Sequence, residues 1–181
     1  MSVWAYLYAY RDQETIAQNV RDAREYRAES DGSVLHWESP YFSTLWAELG
    51  GVPRPQREEF GIAGLVDCVG DGDLFHDMLC DGGVSTEDWC SIDGIADCVD
   101  RLILLIEENP SPLETSLRRT IVSCTLRPGP TEEKEKDAAW PAVADQRSVY
   151  VAAFAEELRE LAATLRRLQA QGETHIALTI D

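Results

Sequence analysis

VAAFAEELRELAATLRRLQAQGETHIALTI, residues Val151 to Ile180, changes periodicity part-way along, and that change sets the fold class. Val151, Phe154, Leu158, Leu161, Leu165 and Leu168 recur every three or four residues with charges opposite, the signature of an amphipathic helix over 148–171. Gly172 is placed to stop it, because glycine accepts the left-handed conformation that ends helices. Thr174-His175-Ile176-Ala177-Leu178-Thr179-Ile180 then alternates as a strand does. The opposite end alternates too. Trp4, Tyr6, Tyr8 and Tyr10 fall on one face, with Val3, Ala5, Leu7 and Ala9 on the other, so both faces of that strand should be at least partly covered. These readings predict a single α+β domain over 1–181: a small sheet including the N- and C-terminal strands, close together, covered by several helices with 148–171 as the main cover.

Between the ends, Asp12 caps a predicted helix to about Ala28, with Ile16, Val20, Ala23 and Tyr26 as its stripe and Ser30-Asp31-Gly32-Ser33 as its break. Ser39-Pro40 reads as an N-cap followed by proline at the first helical position, and Gly50-Gly51 as the stop. Phe42, Leu45, Trp46 and Leu49 lie between them. Pro53 to Arg57 is expected to be a loop, since two prolines and two charges suit neither a helix nor a strand interior. Asp73 to Cys80 suggests a short helix, and Ser85 to Asp88 has capping-box spacing. Asp93 begins a stronger helix with Ile95, Val99, Leu102 and Ile106 as its stripe, ended by Asn109-Pro110. Ser111-Pro112-Leu113-Glu114 is a further capping box. Leu117, Ile121 and Cys124 extend that face, while 118–126 fits either a helix or a strand. Pro128 to Asp137 is polar and charge-rich, and is expected to be the most mobile loop.

At 181 residues the chain can bury a sizeable core without a disulfide or metal staple. Its N-terminus lacks a basic region and a long apolar run, and no segment approaches the ~18 apolar residues of a membrane span. A cytoplasmic location is expected, and with it reduced thiols for the five cysteines.

The charge is distinctive. Sixteen Lys+Arg stand against 33 Asp+Glu, for a net −17. Such a surface repels nucleic-acid phosphates and anionic lipid and suits a basic partner. Between Arg57 and Arg101 there is no Lys or Arg, while residues 58–100 hold twelve carboxylates. Asp73, Asp77 and Asp81 lie four apart. So do Asp93 and Asp97, with Asp100 three further on. On a helix, like charges at that spacing cost about 0.2–0.5 kcal/mol per pair. A face built only for solubility would intersperse lysines. Asp73, Asp77, Asp81, Glu87, Asp88, Asp93, Asp97 and Asp100 are therefore the candidate partner face, weighed against a merely solvated one.

Catalytic motifs are missing from the pattern. Asp71-Gly72-Asp73 with Asp77 suggests a divalent-metal hydrolase or transferase. Phe75 occupies a ligand position of the calcium loop, however, and the stretch has no Lys or Arg for a phosphate. No dedicated metal site or cofactor is expected. His76 and Cys80, with Cys68, Cys90 and Cys98 nearby, lack the spacing of zinc sites. The acidic surroundings would raise a thiol pKa and work against a cysteine nucleophile. Cys98 and Cys124 read as buried thiols beside apolar stripes. His36 and His175 sit in no catalytic frame. Trp37, Tyr41, Phe42 and Trp46 fit a pocket lining or a packed core equally.

The helix Phe154 to Gln171, passing through Gly172 into His175 to Ile180, resembles the C-terminus of the YfbM-like family of small bacterial proteins. Trp37, Leu45-Trp46 and Leu49-Gly50-Gly51 are similar to an internal segment of that family. The family's function is uncharacterised, so the resemblance implies no catalytic residues. The functional expectation is a non-enzymatic acidic protein, of the immunity or inhibitor type, that masks a basic toxin or nuclease. The alternatives are the metal-dependent enzyme using Asp71, Asp73 and Asp77, and a housekeeping domain without a special face.

Overall fold

Alternation at both chain ends brings two strands side by side, and the rest of the fold is arranged around that pair. A computed structural model describes residues 4–10, 35–71 and 89–180. In chain order these form β1 (Ala5–Tyr10), β2 (Leu35–Ser39), α1 (Pro40–Gly50), α2 (Arg54–Phe60), α3 (Ala63–Cys68), β3 (Val69–Asp71) and β4 (Cys90–Ser91). There follow α4 (Ile92–Glu107), α5 (Glu114–Thr125), α6 (Glu133–Ala139), α7 (Arg147–Ala170) and β5 (His175–Ile180). The expected helix up to Ala28, the helix at 73–80 and the capping box at 85–88 lie outside the described residues.

The fold is α+β, with a small mixed sheet in the order β2-β1-β5-β3. β1 runs antiparallel to β5 in unbroken register, from Ala5 opposite Ile180 to Tyr10 opposite His175. The other edge of β5 is shared. Antiparallel β4 pairs with His175 and Ile176, and parallel β3 pairs with Leu178 to Ile180. Ala5, Leu7, Ala9, Ile176 and Leu178 join the helices in one buried cluster. Ala177 and Thr179, on the opposite face of β5, are buried as well.

α7 covers the helix-side face. Phe154, Leu158, Leu161, Leu165 and Leu168 are buried, as their spacing predicts. Gly172, with φ of 89°, reverses the chain into β5. The Glu173 N–H donates to the Leu168 carbonyl at 3.0 Å and the Gly172 N–H to that of Gln169 at 3.0 Å, a Schellman ending. α4 packs along α7 through Ile95, Val99, Leu102 and Ile106. The Ile92 N–H donates to the Thr174 carbonyl at 3.0 Å and ties the start of α4 to the approach of β5.

Three expectations are corrected. Residues 53–57 are not a loop: Arg54–Phe60 is a helix with Pro55 in its first turn, where a missing N–H costs nothing. The Pro53 carbonyl accepts from Gln56 and Arg57 at 2.9 and 3.1 Å, and Gly61, with φ of 71°, ends the helix beneath the Arg101 side chain. The segment 128–137 is not simply a loop either, because Glu133–Ala139 is helical. It is docked by charge: Arg119 meets Glu133 at 3.0 Å and Asp137 at 2.8 Å, and Lys136 pairs with Glu48 of α1. Arg118 lies over the Trp140 ring, 5.4 Å from its centre. At Ser111–Leu113 the predicted capping box gives way to a 3-10 turn without a side-chain cap, and α5 starts at Glu114. The ambiguous 118–126 is helical to Thr125, which buries Leu117, Ile121 and Val122 on one side.

The start of α1 is built as Ser39-Pro40 predicts, with an addition from α7. The Ser39 hydroxyl accepts from the Phe42 N–H at 2.9 Å and donates to the Glu157 carboxylate. Burial pushes the Glu157 carboxyl above its ordinary value, against the opposing pull of Ser39 and of the Tyr41 and Phe42 N–H groups. A carboxyl raised on folding stabilises the fold most below its unfolded pKa, near 4.5, and that contribution is lost as pH rises through the folded value. Glu157→Gln should remove this dependence. The melting temperature of the variant, relative to wild type, is expected to be more favourable at pH 7 than at pH 4. A difference that does not change with pH would refute the assignment.

Candidate functional site

The carboxylates singled out in sequence fall into three groups. Asp73, Asp77, Asp81, Glu87 and Asp88 lie outside the described residues. Asp71 closes β3. Asp93, Asp97 and Asp100 stand on α4, whose helix forms because its apolar residues repeat at 3.6-residue spacing against α7.

On α4 the three aspartates share one side of the helix but not one role. Asp93 and Asp100 are seven residues apart, and so are Asp100 and Glu107, which places all three along the flank that borders α7. α7 runs the other way and answers each in turn. Gln169 Nε2 donates to Asp93 Oδ1 at 2.6 Å. Arg166 Nη2 reaches both oxygens of Asp100, at 2.8 and 2.9 Å. Arg159 pairs with Glu107. Asp93 also occupies the first turn of α4, where the helix dipole favours an anion. Asp97 is different: it is exposed and makes no ion pair with a described residue. The four-residue spacing that suggested a single binding face therefore conceals a seven-residue spacing that serves helix pairing. Reading α4 against an antiparallel α7 would have revealed it.

The basic residues flanking the acidic stretch are drawn onto it. Arg54 meets Glu58 at 3.0 Å and Asp67 at 3.2 Å, and Arg57 meets Asp67 at 3.3 Å. Among the 12 Lys and Arg of the described residues, eight (Arg54, Arg57, Arg118, Arg119, Lys136, Arg147, Arg159 and Arg166) are in ion pairs within the chain. The positive charge is thus largely turned inward on local carboxylates. At two carboxylates the effect is direct: Arg119 holds the Asp137 carboxyl below its ordinary value, and Arg147 with Arg118 outweighs burial to do the same for Glu114.

The other candidates resolve as packing or as isolated groups. Trp37 is buried edge-on against Phe42 with ring centres 5.4 Å apart. Tyr41 stacks edge-on with Tyr150 and Phe154 at 6.0 Å, and Trp46 donates to the Val66 carbonyl at 3.1 Å. His175 shares a 2.7 Å hydrogen bond with Thr174, and His76 lies outside the described residues. Among the described residues no three His, Cys, Asp or Glu side chains gather to hold a metal ion, and no helix is long and apolar enough to cross a membrane. Cys98 and Cys124 are half-buried rather than buried, and burial raises the Cys124 thiol pKa beside the Thr44 hydroxyl. Sequence spacing missed one contact. Cys68 and Cys90, separated by 21 residues, lie close enough for their thiols to influence each other. Only their meeting at one edge of β5 brings them together.

No family model, curated protein or solved structure matches the chain. What the fold defines is a class: a single α+β domain with a small mixed sheet covered by helices.

The division of labour on α4 has a measurable consequence. Asp100 and Arg166 should show a coupling of about 0.2–1 kcal/mol in a double-mutant cycle of alanine variants, the range for exposed pairs. Asp97→Ala should change stability by no more than about 0.5 kcal/mol. Zero coupling for the first pair, or a larger cost for Asp97, would contradict the arrangement.

Proposed function

We propose that the chain is a non-enzymatic interaction protein that offers a negatively charged surface to a basic partner. One observation carries the reading: the cations of the described residues are mostly consumed in internal pairs, while Asp97 is exposed and has no ion-pair partner among the described residues. Uncompensated outward carboxylates favour encounter with a cationic surface and discourage nucleic acid and anionic membrane. Asp97 is the described anchor of this face, with Asp93 beside it. Asp73, Asp77, Asp81, Glu87 and Asp88 extend it in sequence, and Asp100 contributes in its Arg166-paired form. The particular partner proposed is a toxin or nuclease whose basic active-site groove the acidic surface would mask. Masking of that kind needs complementary charge and no chemistry of its own.

Capture experiments with the full chain as bait test the proposal. The wild type is expected to retain a basic protein at low salt and release it at high salt. The triple variant Asp77→Lys, Asp81→Lys, Asp97→Lys should lose it while keeping the wild-type circular dichroism spectrum. Equal capture by the folded variant, or capture indifferent to salt, would overturn the reading.

A further inference from the structure

The thiols of Cys68 and Cys90 meet because β5 has a divided edge. Cys68 is the last residue of α3, immediately before Val69, which pairs with Leu178. Cys90 opens β4 and pairs with Ile176. The two cysteines therefore meet at the gap beside Ala177 from which β3 and β4 both start and run off in opposite directions. The two thiols lie close enough for each to perturb the other's titration. Cys98 stands close by on α4, its sulfur 3.4 Å from where a side-chain carbon on Gly64 would lie.

We infer that Cys68 and Cys90 are a redox pair, oxidised by hydroperoxides to an intramolecular disulfide, with Cys90 as the attacking thiol and Cys68 as the resolving one. The two environments assign the roles. Cys90 is partly exposed, so a peroxide can reach its sulfur. Cys68 is buried, and the neighbouring Cys90 thiol together with that burial pushes its own thiol up, which suits it to wait for an oxidised partner. A reachable thiol beside a buried second thiol that can resolve its oxidation product is the arrangement that peroxide-sensing thiols use. The Cys90 thiolate attacks the peroxide oxygen; an S–O bond forms, the O–O bond breaks, and the departing alkoxide takes a proton to leave as the alcohol. The Cys68 sulfur then attacks the Cys90 sulfenic acid. An S–S bond forms, the S–O bond breaks, and the hydroxide leaves with the Cys68 proton as water. Two thiols and one hydroperoxide thus give one disulfide, one alcohol and one water. In sequence the bond closes over residues 69–89, so it ties together the two flanks of the acidic stretch. The pairing does not depend on the partner reading, and either can fail alone.

The test treats the folded, reduced wild-type chain with stoichiometric hydrogen peroxide, blocks the remaining thiols, and maps disulfides by mass spectrometry of a non-reducing digest. The expected product is a Cys68–Cys90 peptide pair, two hydrogens lighter than its reduced components. Cys68→Ser should trap Cys90 as a sulfenic acid that reacts with dimedone, and Cys90→Ser should yield neither disulfide nor adduct. Absence of a linked peptide in the wild type, dominant pairing through Cys80, Cys98 or Cys124, or first oxidation at Cys68 would each overturn the inference. The wild-type map decides the matter even where a variant fails to fold.

Discussion

Hydrogen bonding along both edges of β5 is the constraint on which the rest of the described chain depends. One edge is saturated by β1 over its whole length, and the other by two short strands that arrive from different directions. Because both edges are occupied, β5 is an interior strand, and Ile176, Ala177, Leu178 and Thr179 are all buried. An interior strand with both faces covered leaves little freedom of register, since a one-residue slip would exchange its faces. α7 feeds β5 through the Gly172 reversal, and α4 is tied to its approach by the Ile92 hydrogen bond. The positions of α4, α3 and the two thiols therefore follow from where β5 lies.

Elements held by apolar periodicity were legible in the sequence, and those held by charge or by local backbone rules were not. α7, α4, β1 and β5 carry unambiguous stripes or alternation, and each lies within a residue or two of its expected span. α2 and α6 bury no residue of their own. α2 is a helix because Pro55 sits where a proline is tolerated and Arg54 pairs with Glu58 one turn on. α6 is a helix because α5 and α1 supply cations and anions that match its own, through Arg119 and Lys136. Neither support is visible without knowing which helix lies beside which.

The candidate site divides along the same line. The absence of lysine and arginine from 58–100 is plain in sequence. Which of those carboxylates remain available is decided by tertiary neighbours: Arg54 and Arg57 fold back on Asp67, Arg166 takes Asp100, and Gln169 takes the side of Asp93. Asp97 is exposed, and no described cation of α7 pairs with it. The Cys68–Cys90 contact shows the reverse effect. Neither residue sits in a recognisable thiol motif, and their chemistry comes from the fold that places a buried thiol against a partly exposed one.

Native-state hydrogen exchange tests the role of β5 most directly. If β5 is the strand on which the others depend, the amides of Ala177, Leu178 and Thr179 should exchange only through global unfolding, with the same free energy and denaturant slope as the amides of Leu161 and Leu165 in α7. Exchange of the β5 amides through a smaller, denaturant-insensitive opening, while α7 stays protected, would contradict the account.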